Sequence, residues 1–455
     1  MALPHVLIIG CGFGGLAAVR ALVRSGAVDV TLVDRTNHHL FQPLLYQVAT
    51  ASVSAPGVSA PIRHILRSEM RSRRLTVLRA EVTDILAETR QVVLDDGQRL
   101  VYDHLIVAAG ATHSHFGHDD WARHAPGLKT LADAFDIRGR VLESFERAET
   151  TTDPAEREAS LNFVIIGAGP TGVELAGALA EIARHTLPRE FRHIDSRRAR
   201  IVLLEGSPRV LGAFEPGMSE RAARQLRGLG VEVRTGCQVV DIDALGVAFR
   251  EGDSASPQRL QARTVLWAAG VAASPLGRAL QRSAGATLDR AGRVTVQPDL
   301  SLQNHPEIQV IGDLAAAMSP GRDGPRAVPG VSPAAKQMGR LAADNLVRRL
   351  HGRPTQPLRY ADYGSLATIG RMAAVVQLAL PGGRTLRLSG YPAWLFWLFA
   401  HVYFLIGFRN RLVVLIDWAW SYWTFARHAR VVVQPLPVPP PQADQARPGT
   451  PTTPA

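Results

Sequence analysis

The fold is decided by an N-terminal stretch, Val6-Leu-Ile-Ile-Gly10-Cys-Gly12-Phe-Gly-Gly15, in which an apolar strand runs into a GxGxxG loop and then into a helix-forming segment. Gly10 permits a tight turn, Gly12 lets the backbone approach a pyrophosphate, and Gly15 lets helix and strand pack closely. Asp34 ends the next apolar strand and can accept hydrogen bonds from a ribose diol. Because a helix N-terminus also attracts phosphate, this stretch predicts a dinucleotide-binding unit.

The same pattern occurs a second time in the middle of the chain. Asn162-Phe-Val-Ile-Ile-Gly167-Ala-Gly169-Pro-Thr-Gly172 leads into a helical segment, and Glu205 ends the following apolar strand. Two complete strand–loop–helix–strand–acid units indicate one flavin site and one nicotinamide site. Glu205 should repel a 2′-phosphate, which predicts NAD(H) over NADP(H), although Arg209 lies close enough to weaken that preference.

Three further strand ends fit this scheme. Two apolar strands end in Ala-Ala-Gly, at Gly110 and at Gly270, and such small residues suit a chain crossing close to a cofactor. An ordinary left-handed turn is the alternative at each of these glycines. Asp313 follows the strand 308–311, and ligands of open α/β sheets bind at the carboxyl ends of strands. We therefore expect Asp313 near flavin ribityl hydroxyls or the pyrophosphate.

Composition narrows the class of protein. The 455 residues carry a net charge of +11 and only two cysteines, Cys11 and Cys237. This composition excludes a collagen, a wholly disordered chain and a disulfide scaffold. The cysteines form no CxxC, which argues against a dithiol redox centre, and the histidines have no metal-ligand spacing. No aromatic-interleaved basic module appears, so we expect no nucleic-acid partner.

The C-terminal part combines apolar, aromatic and basic residues. Residues 388–408 contain no Asp, Glu, Lys or Arg, and a second apolar run covers 412–425. These two runs have three possible interpretations: interfacial helices that lie on a membrane, a true membrane span, or a dimer interface or core helix. Under the first, four arginines could reach lipid headgroups: Arg409, Arg411, Arg427 and Arg430. The Pro-rich residues 434–455 are expected to be disordered.

At this point the motifs resemble those of the type II (non-proton-pumping) NADH:quinone oxidoreductases, within the two-dinucleotide-binding flavoproteins. The resemblance runs from about residue 6 to about residue 431 and rests on stretches beyond the glycine loops: Phe41-Gln-Pro-Leu-Leu-Tyr46, Trp267-Ala-Ala-Gly-Val271, Gly364-Ser-Leu-Ala-Thr-Ile-Gly370 and Ala393-Trp-Leu-Phe-Trp397. It implies an α/β fold with an FAD domain split around an inserted NAD domain. It also implies a C-terminal membrane-docking region, and hydride transfer from NADH to FAD followed by reduction of a membrane quinone.

The resemblance assigns domains and cofactor residues. It implies an FAD domain at 1–118 and 296–387, an NAD(H) domain with linkers at 119–295, membrane-associated helices at 388–433, and the tail at 434–455. FAD would be held by Gly10, Gly12, Gly15, Asp34 and Asp313, and NADH would be held by Gly167, Gly169, Gly172 and Glu205. Gly110 and Gly270 are further expected cofactor-binding residues, without assignment to one of the two nucleotides.

Three further residues are expected to take part in the chemistry. The resemblance places Glu174 near the isoalloxazine, as a proton relay or a nicotinamide-positioning group; a helix N-terminal acid is the structural alternative. Gln337 matches the second glutamine of a family motif on the quinone side, and Lys336 is a candidate proton donor. Pro333 stands where the family has the first glutamine, which puts in doubt how the quinone ring is held. Tyr46 and Gln47 are weaker candidates for this pocket.

Other functions remain as alternatives. A sulfide:quinone oxidoreductase is disfavoured because Cys11 and Cys237 supply no evident flavin-side pair. A reductase with a protein electron acceptor would not need the Trp-rich, Arg-flanked C-terminus. No signal peptide precedes the first strand, so we expect the chain at the cytoplasmic face of the cell membrane, either peripheral or with one short span. The resemblance leaves a monomer and a homodimer open.

Overall fold

The computed structural model describes residues 3–252, 256–321, 324–380, 384–425, 427 and 429–432. The predicted disordered tail at 434–455 lies outside the described residues. Long apolar strands, such as the fully buried Asn162–Ile166, alternate with helices in the first three-quarters of the chain. This alternation is typical of parallel sheets that are covered on both faces.

The strands are, in chain order, β1 (His5–Ile9), β2 (Asp29–Asp34), β3 (His38–Leu40), β4 (Ser59–Pro61), β5 (Leu75–Arg79), β6 (Val82–Leu86), β7 (Gln91–Leu94), β8 (Arg99–Val101), β9 (His104–Val107), β10 (Ala111–His113), β11 (Asn162–Ile166), β12 (Arg200–Glu205), β13 (Val231–Thr235), β14 (Cys237–Asp243), β15 (Gly246–Glu251), β16 (Gln258–Gln261), β17 (Thr264–Trp267), β18 (Val271–Ala273), β19 (Val294–Thr295), β20 (Ile308–Val310), β21 (Ala315–Ala316), β22 (Met318–Ser319), β23 (Arg326–Ala327), β24 (Ser365–Gly370), β25 (Ala373–Ala379) and β26 (Thr385–Ser389).

The α-helices are α1 (Phe13–Ser25), α2 (Leu45–Ala49), α3 (Ala55–Val58), α4 (Ile62–Ile65), α5 (Arg67–Met70), α6 (Leu131–Thr150), α7 (Pro154–Ser160), α8 (Pro170–Glu181), α9 (Pro216–Gly228), α10 (Leu276–Ala284), α11 (Ser332–Leu350), α12 (Tyr391–Phe404) and α13 (Phe408–Thr424). Short 3₁₀ turns lie at Gln42–Leu44, Asp119–Arg123, Ser196–Arg198 and Gly312–Leu314, and a π-helical turn, Ile182–Thr186, extends α8.

Two parallel sheets form the nucleotide-binding framework. The first has the strand order β20-β9-β1-β2-β5, and the second has the order β13-β12-β11-β17. All four strands of the second sheet lie in the chain between β9 and β20, which are neighbours in the first sheet. The second unit is therefore inserted into the first, which confirms the predicted α/β architecture of two dinucleotide-binding units; the exact domain boundaries stay predictions.

The two units are joined by a pair of crossing segments. β10 leaves the first sheet after Gly110, β18 leaves the second after Gly270, and the two strands pair antiparallel. This pairing sets the carboxyl ends of the two sheets beside each other. Ligands of open parallel sheets bind at those ends, so the crossing lies where two nucleotides would meet.

The C-terminal part packs against the second unit. The antiparallel sheet β24-β25-β26 lies against α8 so closely that a Cβ added at Gly177 would stand 1.7 Å from the carbonyl oxygen of Ile369. Helix α12 buries Trp394, Trp397 and His401 on one face. The packed face agrees with the core-helix interpretation for that side of α12.

The opposite side of these helices is exposed. The exposed residues of α12 and α13 include Phe399, Tyr403, Phe404, Phe408, Ile416, Trp420 and Trp423, which together form the aromatic face. Among the described residues, no helix is both long and apolar enough to cross a membrane. The predicted uncharged run at 388–408 is divided, because β26 ends at Ser389 and α12 ends at Phe404.

Candidate active site

The two glycine loops have nearly the same backbone geometry. Gly10 and Gly167 have φ values of +92° and +97°, in the left-handed region that side chains rarely adopt. A Cβ added at Gly15 would lie 1.8 Å from the carbonyl oxygen of Gly10, and one at Gly172 would lie 1.8 Å from that of Gly167. The loops and the helices that follow can therefore approach each other only with glycine at these positions.

The middle glycine of each loop leaves room for a ligand. Gly12 and Gly169 are the N-cap residues of α1 and α8, and a Cβ at either would meet no described atom within 4 Å. A glycine cap supplies no side-chain acceptor. The first N–H groups of each helix therefore receive no hydrogen-bond acceptor from the capping side chain. This arrangement fits a pyrophosphate, which accepts those N–H groups and is attracted by the helix dipole.

The acidic residue that ends the second strand of each unit is hydrogen-bonded to the glycine loop of the same unit. An Asp34 Oδ accepts the Cys11 N–H at 2.6 Å, and a Glu205 Oε accepts the Ala168 N–H at the same distance. The second oxygen of each carboxylate accepts from the residue two positions later, Thr36 or Ser207. The carboxylates are thereby held beside the loops, with lone pairs left for a ribose diol.

The predicted strand ends lie around the crossing between the units. Gly110 and Gly270 have φ values of +68° and +71° and immediately precede the paired strands β10 and β18. Asp313 lies in the short turn that follows β20, at the carboxyl end of the first sheet. A Cβ at Gly330 would approach an Asp313 carboxylate oxygen to 3.3 Å, so Gly330 keeps this carboxylate accessible. These positions are consistent with the expected nucleotide contacts.

A small cavity, partly open to solvent, lies between α2, α8, β24 and α13, and Glu174, Tyr46 and Gln47 contribute to its lining. Burial raises the pKa of the Glu174 carboxyl well above its usual range, and the Thr368 N–H is a distant donor at 3.5 Å. Burial therefore favours the neutral, protonated form of this carboxyl. Burial, followed by the nearby Glu174, also raises the pKa of Tyr46.

The polar wall of this cavity is hydrogen-bonded in a chain. The Gln47 amide donates to the Tyr46 hydroxyl at 2.9 Å and accepts from the Trp418 indole N–H at 2.7 Å. Trp418 belongs to α13, whereas Tyr46 and Gln47 belong to α2. The cavity is thus built jointly by the first unit, the second unit and the C-terminal helices.

An ion pair also contributes to the lining of the cavity. The Arg427 guanidinium lies 3.0 Å from the Glu181 carboxylate and also donates to the Thr50 carbonyl at 2.7 Å. Arg371 donates to the carbonyls of Ser421 and Tyr422, which end helix α13. These contacts fasten the C-terminal segment to the end of α8 and to the end of α2.

Sequence comparison gives this geometry a context. The model of the pyridine nucleotide-disulphide oxidoreductase family matches residues 4–339, and that of the NDH2 C-terminal domain matches residues 363–428. The chain is similar to two type II NADH:quinone oxidoreductases of Mycobacterium tuberculosis. It is 43% identical to Ndh over 92% of this chain and 88% of the relative, and 44% identical to NdhA over 93% and 88%.

The chain belongs to the type II NADH:quinone oxidoreductase family. Transfer of electrons from NADH to a quinone through FAD is accordingly the reaction of this enzyme, as its motifs predicted. Solved structures show the same fold. NDH2 of Plasmodium falciparum, in a complex with NADH, has a TM-score of 0.82 at 20% identity and covers 95% of this chain and 100% of its own.

The sulfide:quinone oxidoreductase of Aquifex aeolicus also shares the fold, with a TM-score of 0.70 at 18% identity over 90% of this chain and 92% of its own. The cysteines of the enzyme do not support that activity. Cys11 and Cys237 are both buried and free. Burial raises the pKa of Cys11 strongly and that of Cys237 to about 11, so neither thiol is activated as a nucleophile.

The structure does not bring the three predicted catalytic residues of the enzyme into one cluster. Both ends of the Gln337 amide are bonded to the backbone of Ala361, at 2.9 Å each. The Lys336 ammonium lies over the rings of Phe13, at 5.0 Å, and Phe404, at 4.9 Å. Burial lowers the pKa of Lys336. Only Glu174 lines the cavity described above, and the catalytic roles of all three residues stay predictions.

The structure corrects one expectation about the C-terminal arginines of the enzyme. Under the interfacial interpretation Arg427 could reach lipid headgroups, but it is 6% exposed and pairs with Glu181. Arg411 caps the carbonyls of Leu405 and Tyr403, and Arg430 pairs with Glu190. Arg409 remains exposed. Sequence alone missed the ion pairs of Arg427 and Arg430 because their acidic partners lie more than 200 positions away in the chain.

Proposed function

We propose that the first glycine loop of this enzyme holds FAD and the second holds NADH, with the hydride donor and acceptor meeting beside the β10–β18 crossing. The observation that carries this proposal is the pair of matching loops at the adjoining carboxyl ends of two parallel sheets. When bound, FAD supplies the two-electron chemistry that connects a hydride donor to a quinone.

The residues of this chain orient the reactants and supply protons. Asp34 and Glu205 hold the two loops and offer acceptors to the ribose groups. Burial favours the protonated form of the Glu174 carboxyl, which would hold a proton in the cavity that Tyr46 also lines. We assign quinone reduction to the side of the molecule that contains this cavity, because a quinone must take up two protons as well as two electrons.

A direct test uses the purified full-length chain. The protein should be yellow, NADH should bleach it without added acceptor, and a soluble quinone should restore the colour. A colourless protein, or one that NADH cannot bleach, would overturn the assignment. Sulfide in place of NADH is the comparison, and equal bleaching by sulfide would favour the rival enzyme class.

We also propose that the enzyme docks on the surface of a lipid bilayer through the aromatic face of α12 and α13. Trp423 is 90% exposed and Phe408 is 80% exposed. Large aromatic residues favour the membrane–water boundary, where the ring leaves water and its polar edge stays hydrated. A cytoplasmic orientation follows if NADH reaches the second unit from the cell interior.

Vesicle flotation tests the docking surface. Trp423→Ser with Phe408→Ser should release the enzyme from vesicles that contain anionic lipid. Tyr363→Ser, which changes a 59% exposed aromatic residue outside the face, should not. If high salt alone releases the unaltered chain, charge rather than aromatic insertion dominates. A concentration-dependent dimer that hides the aromatic face and leaves vesicles unbound would identify a second copy as its partner.

A further inference from the structure

An exposed aromatic residue occupies an unfavourable backbone position beside the second glycine loop. The turn at residues 115–118 is closed by the His118 N–H, which donates to the His115 carbonyl at 3.1 Å. Its two central residues, Phe116 and Gly117, have φ values of +55° and +94°, the pattern of a type I′ turn. Glycine, asparagine or aspartate normally fills the first central position, so phenylalanine there is strained.

Burial does not account for this choice of residue. Phe116 is 66% exposed, so its ring recovers little of the hydrophobic stabilisation that would offset the strain. Strained residues that the surrounding structure holds in place concentrate at functional sites, where the strain serves to aim a group. The combination of strain and exposure therefore points to a ligand as the partner of the ring.

The surrounding structure does hold Phe116 in place. The Trp267 indole N–H donates to the Ser114 carbonyl at 2.9 Å, and the His115 ring bonds the Ala125 carbonyl at 3.1 Å. The His115 and Trp267 rings pack at 4.8 Å between centroids, and the Phe116 ring lies edge-on to Trp267 at 5.8 Å. The exposed ring thus projects from a fixed segment.

The position of the ring relates it to the nucleotide loop. A Cβ added at Gly270 would lie 2.6 Å from the Cζ of Phe116, so Gly270 has to be glycine for the ring to sit there. A Cβ added at Gly167 would lie 2.6 Å from the backbone nitrogen of Ala269. The ring therefore covers the strand end that is in direct contact with the second glycine loop.

The order of strands indicates which part of NADH would reach the ring. In the second sheet, Glu205 ends β12, the glycine loop follows β11, and Gly270 follows β17, which lies on the other side of β11. With the adenosine ribose at Glu205 and the pyrophosphate at the loop, the nicotinamide half extends towards Gly270. The crossing to the first unit begins at the same place.

We propose that the ring of Phe116 forms a wall of the NADH site and positions the nicotinamide half of the nucleotide. This inference rests on the proposed assignment of the second loop to NADH. An aromatic ring offers an apolar face to a flat heteroaromatic ring or to the carbon face of its ribose. A rigid, pre-strained support would fix the nucleotide along the edge of the sheet without itself rearranging on binding.

The test is equilibrium binding of NAD⁺ and of ADP to the FAD-loaded, full-length enzyme without quinone. Phe116→Asn removes the ring and introduces a residue that suits the turn, so we expect an unchanged or higher melting temperature. NAD⁺ affinity should fall about tenfold, the range of one aromatic contact, while ADP affinity stays the same. Phe116→Tyr should retain NAD⁺ affinity.

Two controls separate the possible failures. Met372→Asn changes another exposed apolar residue with positive φ, 53% exposed at φ +58°, and should leave both affinities unchanged. Glu205→Gln should weaken both ADP and NAD⁺. If it does so while Phe116→Asn binds NAD⁺ normally, the inference about Phe116 alone is overturned. If Glu205→Gln changes neither affinity, the placement of NADH itself is wrong.

A structural role is the remaining outcome. If Phe116→Asn lowers the melting temperature and weakens ADP and NAD⁺ equally, the ring supports the fold and the inference is overturned.

Discussion

The two nucleotide units are close copies in their loops but differ in what packs against the helix that follows. The residue two positions after the last glycine of the loop is Ala17 in the first unit and Glu174 in the second. A Cβ added at Gly339 of α11 would lie 3.2 Å from the Cβ of Ala17, so small residues let α1 and α11 touch. Glu174 instead faces the cavity beneath the C-terminal helices.

The loops also differ in the group that donates a hydrogen bond to the carbonyl of their second residue, Cys11 or Ala168. The carbonyl of Cys11 accepts from the His39 imidazole at 2.7 Å, whereas the carbonyl of Ala168 accepts from the Leu211 backbone N–H at 2.8 Å. The same glycine framework therefore carries a titratable neighbour in the first unit and a non-titratable one in the second. Under the proposed assignment, the shared loop holds a nucleotide in each unit, while the residues around the loop give each site its own chemistry.

The largest expected effect separates the two sites. Gly15→Ala and Gly172→Ala each force a Cβ against a backbone oxygen, which costs about 3 kcal/mol or more of unfolding free energy unless the loop shifts. Gly15→Ala should abolish flavin retention, whereas Gly172→Ala should retain flavin and lose NADH binding. Flavin absorbance and NADH titration measure both.

Gly139→Ala is the matched control for that pair, because a Cβ there meets no described atom within 4 Å and the residue lies within helix α6. It should change neither nucleotide. Flavin retained in Gly15→Ala would break the assignment of the first loop.

The second-largest expected effect is a loss of folding stability at acidic pH. Burial lowers the pKa of His39 from 6.5 to about 4, so the folded state binds its proton at lower pH than the unfolded state does. The contribution of neutral His39 to the free energy of unfolding is complete above 6.5, the pKa of this histidine in the unfolded chain. It is lost as the pH falls from 6.5 to about 4, by about 3 kcal/mol in total. Chemical unfolding at several pH values should show this loss, and His39→Asn should reduce it. An unchanged pH profile in the variant would contradict the prediction.

The third effect concerns Glu174. Glu174→Gln should slow reoxidation of the enzyme by quinone about a hundredfold, the usual contribution of a proton-transferring side chain, and should leave bleaching by NADH intact. In the unaltered enzyme, the quinone step should slow as the pH rises through the raised pKa of Glu174, because the protonated form is lost. Rapid-mixing absorbance measures the two steps separately.

The surface residue Glu190, 40% exposed at its side chain and paired with Arg430, provides the control Glu190→Gln, which should leave both steps unchanged. Equal slowing of both steps in Glu174→Gln would instead indicate a nicotinamide-positioning role.

The smallest effect concerns nucleotide choice. Glu205→Gln removes the charge that should repel a 2′-phosphate, and we expect use of NADPH relative to NADH to rise by about tenfold. The ratio of kcat/KM for the two nucleotides measures this change. Glu220→Gln, an exposed substitution on α9, should leave the ratio as it is. No change in Glu205→Gln would refute its role at the ribose.

The architecture was accessible from sequence because its signals are local. Each glycine loop, its apolar strand and its terminal acid lie within about 40 residues, and glycine at those positions follows from backbone sterics. Two such units, with the family motifs, were sufficient to predict the inserted arrangement and the cofactors. The division of 388–408 was not predicted, because an uncharged run does not show where a strand ends and a helix begins.

The sequence by itself determined two dinucleotide loops, their acids and the family, since these depend on residues that are close in the chain. Only the tertiary structure decided that Glu174 shares a cavity with Gln47 and Trp418, that Arg427 pairs with Glu181, and that Phe116 covers Gly270. The physical reason is that buried ion pairs, buried carboxyls and strained turns are created by packing between distant segments. The local sequence pattern therefore determines the glycine loops, whereas long-range packing determines the protonation and orientation of the side chains around them.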